Sequence, residues 1–560
     1  MNLIQAAKDN LKNIIQIALD KAAAEGVLPS GAVIPEVEPP RDPAHGDFAS
    51  SFALASSKAL GQPPRKMAEA VAARAALDGS YFSALDIAGP GFLNARLSGR
   101  WYADVLRGIG TLGSRYGQVD EGQGRRVMVE FVSANPTGPM TTGNARGGVL
   151  GDSLAAVLQA AGYDVWREFY LNDAGHQVDL FGRSLEARYL QALGQEVPFP
   201  DDGYHGDYIT DFAKAYIRRE GDRLLPLSAS ERRRALIDFA LPQNVARMES
   251  DLRRYRINYD RWFAESSLYK DGYVKETIAL LSEKGCTYER DGALWFKATD
   301  FGSDKDEVIV RSDGFYTYYA VDIAYHRDKF SRREFDMVID VMGADHHGHT
   351  LRFPAALSAL DIDPARLRFV LMQMVRFVRG GEVVKMSKRT GRAITLSDLL
   401  DEISVDAARF FFNQRQADSH LEFDLGLAVR QDPDNPVYYV QYAHARISNL
   451  IKVLEDEGFS VPETGAADLS LLTRPAEQDL IKALAGYPEE VRLAARDLDP
   501  SRINRYTVEL AGAFHRFYNA HRLKGEENSL VEARLTLAAA VRQVLRNALS
   551  LLSVEAPENM

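Results

Sequence analysis

Two segments of this chain carry residues whose types and spacing suit phosphate chemistry. The first is VEFVSANPTGPMTTGNARGGVLGDSL, 129–154. A glycine-rich turn between a buried strand and a helix start aims free backbone N–H groups at one point, a geometry that suits phosphates. An ordinary strand–helix connection is the plain alternative, but two prolines and a run of uncharged polar side chains exceed what a connection needs. The second is GGEVVKMSKRTGRAITL, 380–396, where Lys385 and Lys388 flank Met386 and Ser387. Two lysines on a glycine-containing loop can stabilise charge developing on a departing pyrophosphate, although a solvated basic turn has the same composition. His346, His347 and His349 follow Asp345 and invite a metal reading. Neighbouring histidines in one loop do not readily converge on one ion and no cysteine joins them, so no metal site is expected. The single cysteine, Cys286, reads as a small buried hydrophobe and fits a reducing compartment.

The elements around these segments follow from periodicity. RVMVEFVS, 126–133, is a β-branched run expected to be a buried parallel strand. Leu150, Leu154, Val157 and Leu158 line one face of a helix over 144–161, which Gly162 stops. DVWREFYL, 164–171, is the next strand, so the unit is βαβ, the building block of a doubly wound parallel sheet of Rossmann type, with its ligand loop after the first strand. Further strands are expected at 335–342 and near 368–375, and 176–310 holds an insertion. Residues 1–115 read as a separate α/β domain, with a helix at the start, another around 63–76 and a strand near 84–97 containing a Gly89-Pro90-Gly91 turn. The catalytic unit spans 116–430. Thr395 or Ser397 is expected to cap a helix after the lysine loop. Beyond 430 only amphipathic helices are expected, near 438–454, 475–496, 501–521 and 529–552, as a bundle over 431–560.

Length and composition bound the rest. A chain of 560 residues requires two to four domains. It is 46% hydrophobic and 26% charged, which excludes disordered and fibrous classes. No apolar run is long enough to span a membrane, and the N-terminal segment is interrupted by Lys and Asp, unlike a signal peptide. A cytoplasmic location is therefore expected. Net charge is −11, from 67 basic and 78 acidic residues. That sum neither supports nor excludes a nucleic-acid partner, since phosphate contacts act locally within a Debye length of roughly 8–10 Å.

SANPTGP before a helix start, with a later KMSK, resembles the paired signatures of the class I aminoacyl-tRNA synthetases. The flanking residues resemble the arginyl-tRNA synthetases in particular. FYLNDAGHQVDLFGRS (169–184), YTYYAVDIAYHRDKF (316–330), GADHHGH (343–349), ADSHLEFDL (417–425) and NPVYYVQYAHARI (435–447) carry the likeness, and PRDPAHGDFA (40–49) and AGPGFLNARLS (88–98) resemble that family's additional N-terminal domain. The resemblance implies activation of arginine with ATP and transfer of the arginyl group to the terminal ribose of tRNA(Arg), with tRNA usually required for the first step. It implies Mg²⁺ arriving with ATP, no tightly bound cofactor, an anticodon-binding role for the helical bundle, no membrane partner and a monomer. It places Thr141, Gly143, Asn144, Lys385, Met386, Ser387 and Lys388 around ATP, with Thr141, Asn144, Lys385 and Lys388 acting in catalysis. On the arginine side it implies Asn144, with Ser133 and Asn135 at the α-amino and carboxyl end and His346 nearby.

Arginine's planar, permanently charged guanidinium calls for a buried carboxylate. Asp322 is the expected partner, with Tyr318 four residues before it on the same helical face. Glu130 is a second candidate carboxylate, although from within a strand it could equally serve an ion pair. Tyr438, Tyr439 and Tyr442 could stack on unpaired anticodon bases or simply pack. The family pattern at 141–144 is His-x-Gly-His, and this chain has Thr-Thr-Gly-Asn. Threonine hydroxyl and asparagine amide can each donate a hydrogen bond, and tryptophanyl-tRNA synthetases carry a similar Thr-x-Gly-Asn. An alternative is a catalytically impaired paralogue that binds arginine, nucleotide or tRNA for regulation. A synthetase for another amino acid is a third reading.

Overall fold

A computed structural model describes residues 2–344, 347–384 and 394–560. Its centre is a five-stranded parallel sheet in the order Leu367–Met372, Met337–Gly343, Arg126–Phe131, Asp164–Leu171, Arg261–Ala264. Strand Arg126–Phe131 lies in the middle because Val127, Met128, Val129 and Phe131 are all fully buried and need cover on both faces. Its chain neighbours leave on opposite sides, which makes the carboxyl end of this strand the topological switch point where a ligand crevice forms.

The helix after it spans Thr142–Ala160 and ends at Gly162, whose φ is +87°. Its glycines let it lie directly on the sheet: a Cβ at Gly151 would overlap the Phe131 ring. Thr395 does cap the helix Leu396–Glu402, accepting the Asp398 N–H at 3.1 Å while Asp398 accepts the Thr395 N–H at 3.2 Å.

The expected insertion resolves into two parts divided by the edge strand of the main sheet. Helices His176–Ala192, Asp207–Glu220 and Ala229–Arg254 pack on a core of their own that includes Phe181, Leu185 and Phe212. Arg261–Ala264 then returns to the main sheet, and three short antiparallel strands follow at 287–290, 293–296 and 307–310. The strand expected near 368–375 is two strands: Val375–Arg379 leaves the main sheet and pairs with Leu421–Asp424. Near the N-terminus, the 84–97 stretch is a hairpin of Phe82–Ala88 and Phe92–Leu97.

Four long helices, Pro436–Asp456, Pro475–Arg496, Ser501–Ala520 and Asn528–Leu551, form the C-terminal bundle. Buried polar ties seat it on the rest. Asn504 donates to the Phe410 carbonyl at 2.8 Å, and Asn547 donates to the carbonyls of Gly113 and Tyr116 at 2.9 and 3.0 Å. Such ties fix one docking geometry, because leaving a buried carbonyl unpaired costs roughly 1–3 kcal/mol.

Candidate active site

A cleft of about 820 Å³ opens at the switch point, lined by the loop after the central strand, the start of helix Thr142–Ala160, and residues of the strand Met337–Gly343 and the helix Tyr318–Arg327. Seven sequence-predicted residues meet there: Glu130, Ser133, Asn135, Thr141, Gly143, Asn144 and Asp322. Tyr318 stands at the first residue of its helix, half exposed, with its hydroxyl near Gly175 and outside that lining. Lys385, Met386, Ser387, Lys388 and His346 lie outside the described residues. The described end of the lysine loop is held to the site, however. Thr395 forms an antiparallel bridge with Thr141, and the Leu396 N–H donates to the Met140 carbonyl at 2.9 Å.

The loop after the central strand is strained. Val132 and Ser133 have φ of +69° and +41°, and a β-branched residue there is a steric outlier costing on the order of 1–3 kcal/mol. Ser133 is locked in this form. Its hydroxyl donates to Glu130 at 3.0 Å and accepts the Tyr170 N–H at 3.1 Å.

Parallel register creates the electrostatic problem at the floor of the cleft. Asp340, Glu130 and Glu168 fall side by side on three adjacent strands. Adjacent like charges are destabilising, and burial makes each worse. The segment after helix Tyr318–Arg327, a π-helical turn over Asp328–Arg332, supplies the remedy. Lys329, fully buried, donates to Glu130 at 2.6 Å and to Asp340 at 3.0 Å, and its ammonium sits 4.3 Å from the centre of the Tyr325 ring. Arg333 pairs bidentately with Glu168 at 2.6 and 2.8 Å. Burial opposes the charge on Lys329, but Asp340 and Glu130 outweigh it and hold the ammonium above its ordinary pKa. Burial likewise opposes charge on Asp340, and Lys329 and His326 beside it keep that carboxylate well below its usual range.

His326 completes the set. One ring nitrogen lies 2.8 Å from the Asp322 carbonyl and the other 2.9 Å from the Asp340 carboxylate, so a doubly protonated ring can donate to both. Asp322 is treated differently. Its carboxylate has no hydrogen bond or ion pair among the described residues, and burial pushes it up to about 6, with His326 and Lys329 opposing and Glu130 and Asp340 adding. The floor thus holds three carboxylates facing the cleft with the Lys329 ammonium and the His326 ring among them, and Asp322 is the carboxylate without a partner among the described residues.

Sequence reasoning named Glu130 and Asp322 but passed over Lys329, His326 and Asp340. A signal existed. Asp322, His326 and Lys329 at i, i+4 and i+7 share one helical face, and Asp340 is the lone acid inside the apolar strand MVIDVMG. The pairing of the acids across strands could not be seen without the register.

Thr141 and Asn144 pair with each other. The Asn144 carboxamide oxygen accepts the Thr141 N–H at 2.8 Å and the Thr141 hydroxyl at 3.0 Å. That leaves the Asn144 amide N–H groups without a partner among the described residues, at a helix N-terminus on the cleft wall, where oxygen acceptors of a ligand are favoured.

Comparison with known proteins decides the family. Residues 110–429 match the catalytic domain of class I tRNA synthetases of the arginine type, 9–97 match the arginyl tRNA synthetase N-terminal domain, and 440–560 match the DALR anticodon binding domain. The chain belongs to the arginyl-tRNA synthetases. The arginine–tRNA ligases of Acetivibrio thermocellus and Caldanaerobacter subterraneus subsp. tengcongensis are each 51% identical to it, and in both comparisons 100% of each chain is covered. The arginyl-tRNA synthetase structure from Thermus thermophilus superposes with a TM-score of 0.72 at 22% identity, covering 97% of this chain and 99% of that one, a likeness of fold. The family has the class I parallel sheet described above, flanked by an N-terminal domain and a helical anticodon-binding domain.

Proposed function

We infer that this arginyl-tRNA synthetase family member is an arginine–tRNA ligase. The arginine carboxylate attacks the α-phosphorus of ATP, expelling pyrophosphate. A hydroxyl of the terminal ribose of tRNA(Arg) then attacks the arginyl carbonyl, expelling AMP. The observation that carries this reading is the full-length likeness to arginine–tRNA ligases, with all three domain models matched in order.

Within that reading Asp322 receives the guanidinium, Ser133 and Asn135 face the α-amino and carboxyl end, and Tyr318 closes over the side chain when arginine is bound. Thr141, Gly143 and Asn144 face ATP, and the Asn144 amide takes the place of an imidazole donor. Lys385, Met386, Ser387 and Lys388 complete the nucleotide site, and His346 lies by the amino acid. Glu130 is the ion-pair partner of Lys329 and reaches arginine through Ser133. Mg²⁺ enters with the ATP phosphates. Residues 1–115 contact tRNA, 116–430 catalyse, and 431–560 bind the anticodon region. The protein works as a monomer in the cytoplasm, and no described helix is long and apolar enough to cross a membrane.

Arginine-dependent ATP–pyrophosphate exchange in the presence of tRNA tests the activity. Exchange with arginine is expected, and its absence with tRNA present would sink the ligase reading. The doubly substituted T141H/N144H chain is expected to keep its exchange rate within about tenfold of the parent, because the native pair already supplies donors. A rise of several orders of magnitude would mark the native pair as a defect.

A pH effect follows from Asp322. The guanidinium binds the ionised carboxylate, which in the free protein takes up a proton below about pH 6. kcat/KM for arginine is therefore expected to be flat above pH 7 and to fall about tenfold per pH unit below 6, as arginine binding must then expel a proton. A flat profile from pH 5 to 7 would remove Asp322 from this role.

A further inference from the structure

Arg146 is a fully buried cation on helix Thr142–Ala160, two residues after Asn144. Among the described residues no carboxylate pairs with it. Three backbone carbonyls hold it instead: Nη1 donates to Gln373 at 2.5 Å, and Nη2 donates to Gln416 at 2.9 Å and to Ser419 at 3.0 Å. Its Nε has no hydrogen-bond partner among the described residues. Burial pulls the guanidinium down to about 10, with Asp418 opposing. A buried charge met only by neutral acceptors is disfavoured, so stability alone is a weak reason for an arginine here. What its fork holds together is a stronger one.

The three carbonyls belong to two segments where two sheets meet. Gln373 follows the main-sheet strand Leu367–Met372 and precedes Val375–Arg379, the middle strand of a second sheet that also contains Leu421–Asp424 and Glu382–Val383. Gln416 and Ser419 are the ends of a turn just before Leu421, closed by the Ser419 N–H donating to the Gln416 carbonyl at 3.1 Å. The Gln373 N–H donates to the Ala417 carbonyl of that turn at 2.8 Å. One guanidinium therefore fixes the second sheet at the entry to two of its strands. A planar fork suits the task because its donors have fixed directions. The contact reaches the cleft, since a Cβ at Gly147 would lie 3.1 Å from the Met372 Cε and Met372 belongs to the cleft lining. Past Glu382–Val383 the Val384 N–H donates to the Phe377 carbonyl at 2.9 Å, and Lys385 is the next residue in the chain.

We propose that Arg146 is a positioning residue for the activation step, and that its guanidinium fixes the strand pair leading to Lys385 against the helix that faces ATP. This rests on the assignment of Lys385 and Lys388 to the nucleotide. Residues 395 and 396, which follow the lysines, are tied to Thr141 and Met140 just before the same helix. The chain on either side of the lysines is thus referenced to one element, by Arg146 before them and by Thr395 and Leu396 after them. Displacing a group that stabilises developing charge by about 1 Å can cost on the order of 10² in rate, with little effect on substrates bound by other residues.

Pyrophosphate exchange by the full chain with saturating tRNA tests the proposal. Arg146→Lys keeps the charge and loses the fork. Its kcat is expected to fall about 10²-fold, with KM for ATP and for arginine each within about threefold of the parent. Inserting one glycine between Asp418 and Ser419 separates the two carbonyls that share Nη2 and leaves every side chain in place. It is expected to give the same split, with kcat down at least about tenfold. If Arg146→Lys keeps kcat within about threefold, charge alone suffices and the proposal is overturned. It is also overturned if both KM values rise together as kcat falls, the mark of a site that has lost its fold. Should Arg146→Lys fail to fold, the glycine insertion decides by the same criteria. A parent without exchange would fail the ligase reading and this one with it, whereas an active parent with an unaffected Arg146→Lys would fail this one alone.

Discussion

Asp322→Asn is expected to lower kcat/KM for arginine by about 10⁴ while leaving KM for ATP within about twofold. The reason is the distribution of charge on the cleft floor. Glu130 and Asp340 are already engaged by Lys329, and Asp340 also faces His326. Asp322 is the carboxylate without an ion pair among the described residues, and an asparagine there would carry no charge and turn an NH2 donor toward a group that has only donors. The same substitution should not harm the fold. It removes an ionised group that burial disfavours, so the melting temperature at pH 8 is expected to stay level or rise. Pyrophosphate exchange with saturating tRNA, together with thermal unfolding, reads both effects. A loss smaller than tenfold would move the guanidinium site elsewhere.

Lys329→Met carries the opposite signature. Removing the ammonium leaves Glu130 and Asp340 as cross-strand neighbours with no cation between them, and breaking a buried pair from one side costs roughly 3–5 kcal/mol. Activity is expected to fall as well, because Glu130 fixes Ser133 and through it the strained loop. The pH dependence has a definite sign. With the cation gone, burial and mutual repulsion raise the carboxyl pKa values above their unfolded values, so the variant binds more protons folded than unfolded and gains stability as pH falls. The parent has the Asp340 carboxylate held low and loses stability as pH falls toward that depressed value. Thermal midpoints of the two proteins should therefore converge between pH 8 and pH 5. Midpoints that stay equally far apart across that range would mean that Lys329 acts through packing alone.

The chemistry-bearing residues and the strand–loop–helix order around 126–171 are legible in the sequence because they depend on local rules. A β-branched run, a turn rich in glycine and proline and a periodic helix identify themselves within about thirty residues. The hairpin at 82–97 and the return of Arg261–Ala264 to the main sheet are not local. The first needed a partner strand for each half, and the second joins segments about ninety residues apart through backbone pairing to Glu168–Leu171.

By itself the sequence determined the class I signatures, the likeness to the arginine enzymes, the helical C-terminal bundle and the two candidate carboxylates Glu130 and Asp322. Tertiary structure decided what those carboxylates do. Parallel register set Asp340 beside Glu130, the π-helical turn carried Lys329 between them, and Asp322 was left without a cation among the described residues. It also decided that Arg146 grips the carbonyls of Gln373, Gln416 and Ser419. The physical reason is the same in both cases. Residue type fixes which charge or hydrogen bond a side chain can offer, and only the folded chain fixes which partner is within reach to accept it.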